Sequence, residues 1–259
     1  MENPFGDHVA MSKTLQFIWL DDEPGKQKQF VKHIEAVKID TGLKARVLAI
    51  SVNGKDVRVE VENILKRREP DLILLDHVLN RASKSVFETG SSLAPIFRNK
   101  WPYCPVVGVS AIESPSTLPT EVSREYVALF PYDDLRTHLE SFFSIAAGFS
   151  AMKRGQPRNM DDFLALMKCP KEDIPLVKTI IPPNIIMGQG EPSPTSIAQW
   201  VLHTLVKRPG PLCNREWAAT FAGVKPSAFH KIEKMFSPCR YTGIFSSEDD
   251  PRWGRVRYG

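Results

Sequence analysis

The sequence predicts an α/β chain: an open parallel sheet covered by helices over residues 14–148, then a mostly helical domain over 195–259. Three observations predict it. Short apolar runs ending on turn or acidic residues alternate with stretches of helical periodicity through the first half. Between 149 and 194 proline and glycine become frequent, as in "PPNIIMGQGEPSP", which marks a connector. The charge balance then turns basic: Leu15 to Gly148 holds 17 Lys/Arg against 18 Asp/Glu, whereas Thr195 to Gly259 holds 10 against 5.

Taken in order, "LQFIWL" (Leu15–Leu20) is a buried strand and "KQKQFVKHIEAV" a helix with Phe30, Ile34 and Val37 on one face. "RVLAI" (Arg46–Ile50) is the second strand. "KDVRVEVENILKRR" fits either period, since Val57, Val59 and Val61 alternate while Val57, Val61, Ile64 and Leu65 share a helical face; its place between two strands favours helix. "DLILL" (Asp71–Leu75), "PVVGVS" (Pro105–Ser110) and "REYVALF" (Arg124–Phe130) are the remaining strands, and "SSLAPIFRN" is a short helix. "DDLRTHLESFFSIAAG" closes the unit, with Asp133 or Asp134 as cap, Leu135, Leu139, Phe142, Phe143 and Ala146 as apolar face, and Gly148 as a stop. Alternating strands and helices give a doubly wound parallel sheet, and five such units fit one flavodoxin-like (βα)5 domain.

At 259 residues the chain is long enough for one large or two ordinary domains. An apolar fraction of 42% and a charged fraction of 25% are ordinary for a globular protein, so composition points to no disordered or fibrous class. Cys104, Cys169, Cys213 and Cys239 form no C-x-x-C pair and have no zinc-ligand spacing, and read as reduced thiols of a cytoplasmic protein. The N-terminus has no signal-peptide pattern, and "SFFSIAAGFSAM" is too short to span a bilayer. There is no P-loop, G-x-G-x-x-G or zincin motif, so the chain is not read as an enzyme.

Ligands of an open parallel sheet sit at the carboxyl ends of its strands. Asp21 and Asp22 follow the first strand, Asp76 the third and Ser110 the fourth. Two carboxylates about 5 Å apart repel by roughly 3 kcal/mol at an effective dielectric near 20. A hard divalent cation, Mg²⁺ above all, turns that repulsion into coordination. Singly, Asp21–Glu23 would serve as helix-start acids, Asp76 as a turn residue, Ser110 as a loop hydroxyl and His77 as a packed or exposed loop histidine. Their coincidence at three strand ends is what favours a site.

"IWLDDEP", "DLILLD" and "VVGVSA", in this order, resemble the receiver domain of two-component response regulators, over Thr14 to Gly148. The resemblance implies that Asp21, Asp22, Asp76 and the Val78 carbonyl hold Mg²⁺, that Asp76 accepts a phosphoryl group from a histidine kinase or kinase-like partner, and that Ser110 hydrogen-bonds the phosphoryl oxygen. Three departures stand out. Phe130 occupies the place of the family's strand-five lysine before Pro131, and Ala128 that of its aromatic switch residue. The segment after Asp76, "HVLNRASKSVFETG", is longer than usual and offers Arg81 or Lys84 as a substitute cation.

In the basic tail, "TSIAQWVLHTLVKRPG" is an amphipathic helix with Ile197, Trp200, Val201 and Leu205 on one face. "NREWAATFAGVKPSAFHKIEKMF" resembles a helix-turn-helix: Asn214 caps, Ala218, Ala219 and Ala222 permit a tight crossing, Gly223 turns, and Val224, Phe229 and Ile232 pack inward. "CRYTGIF" and "RWGRVRYG" read as a following hairpin, giving a winged-helix-like domain. Lys225, Ser227, His230, Lys231 and Lys234 then lie on the recognition helix, and Arg252, Arg255 and Arg257 on the wing, as contacts to double-stranded DNA. The expectation is a response-regulator-like signalling protein, with phosphorylation of Asp76 shifting homodimerisation or interdomain contact. The alternative is a pseudo-receiver adaptor that docks on a kinase-like or ATPase partner without binding DNA.

Overall fold

The computed structural model describes residues 14–36, 44–79, 89–111, 124–133, 135–157, 159–169, 171–182, 185, 193–206, 212–246 and 251–254. Among these, no helix is long and apolar enough to cross a membrane. The chain divides into two compact units, Met1–Phe143 and Ser144–Gly259.

In the first unit the apolar runs become β1 (Thr14–Asp21), β2 (Lys44–Ser51), β3 (Leu72–Asp76), β4 (Val106–Ser110) and β5 (Leu129–Pro131). They pair in the order β2-β1-β3-β4-β5, and every pair is parallel. That order is the flavodoxin-like one, with its switch point between β1 and β3. Every residue of β3 and β4 is buried, as a central strand covered on both faces requires.

The helices are α1 (Pro24–Ala36), α2 (Val57–Leu65) and α3 (Gly90–Lys100). The ambiguous valine-rich segment is helix: the Asp56 side chain accepts from the Arg58 amide, and Val57, Val61 and Ile64 are buried on one side. One core layer joins these three residues to Ile18, Leu20, Ile73, Leu75, Leu93, Phe97 and Tyr126. Aromatic pairs, Phe17 with Phe143 at 5.4 Å and Phe130 with Phe142 at 5.3 Å, also pack the unit.

Two expectations are corrected here. The fifth strand is far shorter than 124–130, although parallel pairing starts earlier, with Val127 donating to the Val106 carbonyl and Gly108 to Ala128. The closing helix is broken into a 3-10 turn (Leu135–His138) and α4 (Leu139–Gly155). Gly148 does not stop α4. It is buried within it because the Phe245 ring lies where a side chain would go, 2.3 Å from an ideal Cβ.

The second unit holds α5 (Met160–Leu166), capped by Asn159, then α6 (Ile174–Ile180) and α7 (Pro194–Trp200), capped by Ser193. α6 lies within the stretch read as a connector with one short helix, and α7 runs on as a wider π-type turn over Val201–Val206. α8 (Arg215–Phe221) starts at Asn214, whose side chain accepts from the Trp217 amide at 3.0 Å, and Gly223 turns at φ +69° as expected. The small core is Cys213, Ala218, Ala219, Phe229 and Trp253, with Val224 and Ile232 packed against it.

The expected recognition helix is not an α-helix. In its place are two 3-10 segments, Pro226–Lys231, which opens on Pro226 where a helix start accepts proline, and Glu233–Cys239, in which Pro238 has no amide proton to donate. The expected hairpin also differs. β7 (Trp253–Gly254) pairs antiparallel with β6 (Leu212–Cys213), which precedes α8, and its link to "CRYTGIF" shrinks to the Arg240–Trp253 bridge and a Tyr241 amide bond to the Arg252 carbonyl. Phe245, at φ +63°, turns that segment away from a strand.

Candidate metal and phosphoryl site

The register of three adjacent strands gathers the acids. Leu20 of β1 pairs with Leu75 of β3, and Asp76 with Val109 of β4, so Asp21, Asp76 and Ser110 come out at one edge. Asp21, Asp76 and Ser110 are buried and Asp22 half-buried. Ligand oxygens of Asp21, Asp22 and Asp76 all lie within 4.8 Å of one another. At that spacing each ionised pair repels by about 3 kcal/mol. The donor set is hard oxygen only, which fits Mg²⁺ rather than a soft metal.

Asp21 is the most constrained of the three. Its carboxylate accepts from the Glu23 amide at 2.6 Å and from Trp19 Nε1 at 3.1 Å, while its carbonyl accepts from the Val52 amide. Burial nonetheless pushes its pKa up to about 6; the Glu23 amide pulls it down, and the Asp22 and Glu23 charges add to the rise. Gln27 is buried beside it and donates to the carbonyls of Trp19 at 2.8 Å and Ile50 at 3.3 Å, fixing the start of α1 against β1 and β2.

Around Asp76 the chain turns tightly. The His77 amide donates to the Val109 carbonyl, the Val78 amide lies 3.4 Å from an Asp76 carboxylate oxygen, and Val78 bridges Thr89. His77 is buried with Nδ1 3.3 Å from the Tyr126 hydroxyl, and burial lowers its pKa, so it packs as a neutral residue. Gly90 opens α3 under the Asp76 carbonyl, which an added Cβ would approach to 2.4 Å, so only glycine fits there.

Phe130 packs on Phe142 and on His138 at 4.8 Å, and Ala128 is buried. Arg81 and Lys84 lie outside the described residues, as do Arg255 and Arg257. Tyr132, which the sequence reading did not single out, closes one side of the site. Its amide donates to the Ser110 carbonyl at 2.7 Å, and its ring touches Phe30 at 5.2 Å and Trp19 at 6.3 Å.

In the second unit Lys225, Ser227, His230, Lys231 and Lys234 are exposed, on the 3-10 segments and their flanks, and Arg252 is half-buried. The structure thus leaves these cations accessible without setting them on an α-helix. Trp217 and Phe221 of α8 are also exposed, at 43% and 53%, with ring centroids 5.9 Å apart.

No family model and no curated protein matches the sequence. Similar solved structures are response-regulator receiver domains covering about half of the chain. They include the signal receiver domain of the putative response regulator NarL from Mycobacterium tuberculosis, 18% identical over 52% of this chain and 98% of that one, TM-score 0.40. A LuxR-family two-component response regulator from Aurantimonas is 14% identical over 52% and 87%, TM-score 0.42. TrrA from Thermotoga maritima, solved in complex with Mg²⁺–BeF, is 14% identical over 49% and 98%, TM-score 0.35.

Proposed function

We propose that the first unit is a receiver-type signalling module in which Asp76 accepts a phosphoryl group with Mg²⁺ bound beside it. The observation that supports this is the meeting of three carboxylates within 4.8 Å at the carboxyl edge of a parallel sheet. Asp21, Asp22 and Asp76 are the residues that would hold the metal, with the Val78 carbonyl. The ion would screen the charge of an incoming phosphate. Asp76, at the end of β3, is the nucleophile, and Ser110 offers a hydroxyl at the end of β4. A histidine kinase or kinase-like protein is the donor. The chain is an acceptor rather than an enzyme with a turnover of its own.

Incubation with Mg²⁺ and acetyl phosphate, followed by intact-mass measurement, is expected to show one added phosphoryl group that chelator and Asp76→Asn both abolish. An unmodified parent protein, with acetyl phosphate and with a panel of histidine kinases alike, would sink the reading.

For the second unit the exposed Lys225, Lys231 and Lys234 support binding to duplex DNA as the regulated output. With about four phosphate contacts, affinity falls roughly 100-fold between 50 and 200 mM salt. The joint change Lys231→Ala and Lys234→Ala is expected to flatten the salt slope by about two, measured by fluorescence anisotropy on a labelled duplex. A second reading, the adaptor that docks on another protein, is favoured by the exposed Trp217–Phe221 pair, since aromatic residues are enriched at protein interfaces. Absence of duplex binding at low salt selects it.

A further inference from the structure

One cavity of the first unit is lined by none of the acidic-site residues. It has a volume of about 430 Å³ and is bounded by Gly25, Lys28, Gln29, Lys32 and His33 of α1 and by Arg136 of the 3-10 turn. The five α1 positions follow the spacing i, i+3, i+4, i+7, i+8, so they form one stripe along the helix. Arg136 faces that stripe because α1 packs against the 3-10 turn. None of the six residues is acidic. Among the described residues Lys28, Lys32 and Arg136 have no carboxylate partner, whereas Lys26, off the stripe, pairs with Glu23 at 2.8 Å. Lys28 and Lys32 are four residues apart, a spacing at which like charges destabilise a helix, and α1 has no acid in its first turn to suit its N-terminal end. The arrangement therefore works against the helix's own stability and in favour of a negative guest.

We propose that this cavity binds a compact polyphosphate anion, the phosphate chain of a nucleoside triphosphate or of an inorganic polyphosphate, at a site that does not depend on the phosphoacceptor reading of Asp76. Its volume falls within the range of small-ligand pockets. Three cations around one cavity match an anion of several charges rather than a single carboxylate. The Arg136 guanidinium offers a planar fork suited to phosphate oxygens, Lys28 and Lys32 supply ammonium groups from the facing helix, and Gln29 adds an uncharged amide donor. Their gathering around a cavity of this size favours a small ion over the extended surface of a nucleic acid or a protein. At one end of the stripe Gly25 leaves the cavity open, since an added Cβ would meet nothing within 4 Å. At the other end His33 is half-buried, its ring edge-on to Phe30 at 6.0 Å.

The test titrates the full-length protein with sodium tripolyphosphate by calorimetry, in metal-free buffer of low salt. One ion is expected to bind per chain. Arg136→Gln, and Lys28→Gln together with Lys32→Gln, are each expected to weaken binding about 10-fold. Gly25→Glu sets a carboxylate at the open end, where there is room for it and where an acid suits a helix N-terminus. It is expected to keep or raise stability in urea while binding falls by about 10-fold or more. Lys231→Ala with Lys234→Ala, in the second unit, is expected to leave affinity within about twofold of the parent. A loss from that variant as large as from Arg136→Gln would show a general response to positive charge and overturn the inference. Binding of citrate as tight as that of tripolyphosphate, or a stable Gly25→Glu protein that binds like the parent, would overturn it too. ATP titrated in the same way separates the two sources: tighter binding than tripolyphosphate supports the nucleotide, and equal binding supports the inorganic chain.

Discussion

Asp21→Asn is expected to be more stable than the parent in metal-free buffer at pH 7 and unable to gain stability from Mg²⁺. The Asp21 carboxyl has a pKa of about 6 in the folded chain against an ordinary 3.8, chiefly through burial. The folded state therefore binds more protons than the unfolded one between those values, and stability falls as pH rises from about 4 to about 6. Above pH 6 the ionised group costs on the order of 3 kcal/mol, at 1.36 kcal/mol per pKa unit. Asparagine removes the charge but forfeits part of the acceptor capacity used by the Glu23 amide and Trp19 Nε1, about 1 kcal/mol. The net gain is about 1–2 kcal/mol in urea unfolding at pH 7, closing as pH falls towards 4. Mg²⁺ acts oppositely, raising the parent's stability through selective binding to the folded state. A mutant less stable than the parent at pH 7 without metal would show that Asp21 is already well compensated.

Trp253→Ala is expected to cost about 3–5 kcal/mol and to unfold the smaller core of the second unit. Trp253 is 1% exposed, meets Phe229 edge-on at 5.3 Å, and belongs to β7, which pairs with β6 before α8. Few other large side chains fill that cluster, so the cavity has little to collapse onto it. Trp253→Phe retains the aromatic packing, and it also removes a buried indole N–H that has no hydrogen-bond partner. It is expected to lose about 1 kcal/mol or less. Near-UV circular dichroism across a urea titration distinguishes the two, and equal losses would mean that volume matters less than the strand pairing itself.

The central strands and the acids at their ends were legible because each depends on local pattern. Continuous apolar runs such as "LILL" are needed wherever a parallel strand is covered on both faces, and Asp21, Asp22 and Asp76 follow those runs directly. The helical reading of 57–65 needed only its place between strands and the Asp56 cap. Capping likewise announced α8 through Asn214.

Tertiary contacts governed the rest. Gly148 sits inside α4 because Phe245, distant in sequence, packs on it. The second segment of the helix-turn-helix pattern has apolar spacing that a 3-10 path satisfies as well, and Pro238 near its end offers no amide proton. Trp253 looked like a wing residue and is the centre of a core, since β7 pairs with a strand some forty residues earlier. Tyr132 carried no motif at all; its place at the site edge arises from the parallel register that sets Pro131 beside Ser110 and its own ring beside Trp19 and Phe30. By itself, then, the amino-acid order determined which segments are buried strands and that carboxylates terminate them, because burial and turn chemistry act over a few residues. Which side chains close the site and fill the second core was decided only by packing, where residues far apart in sequence compete for the same space.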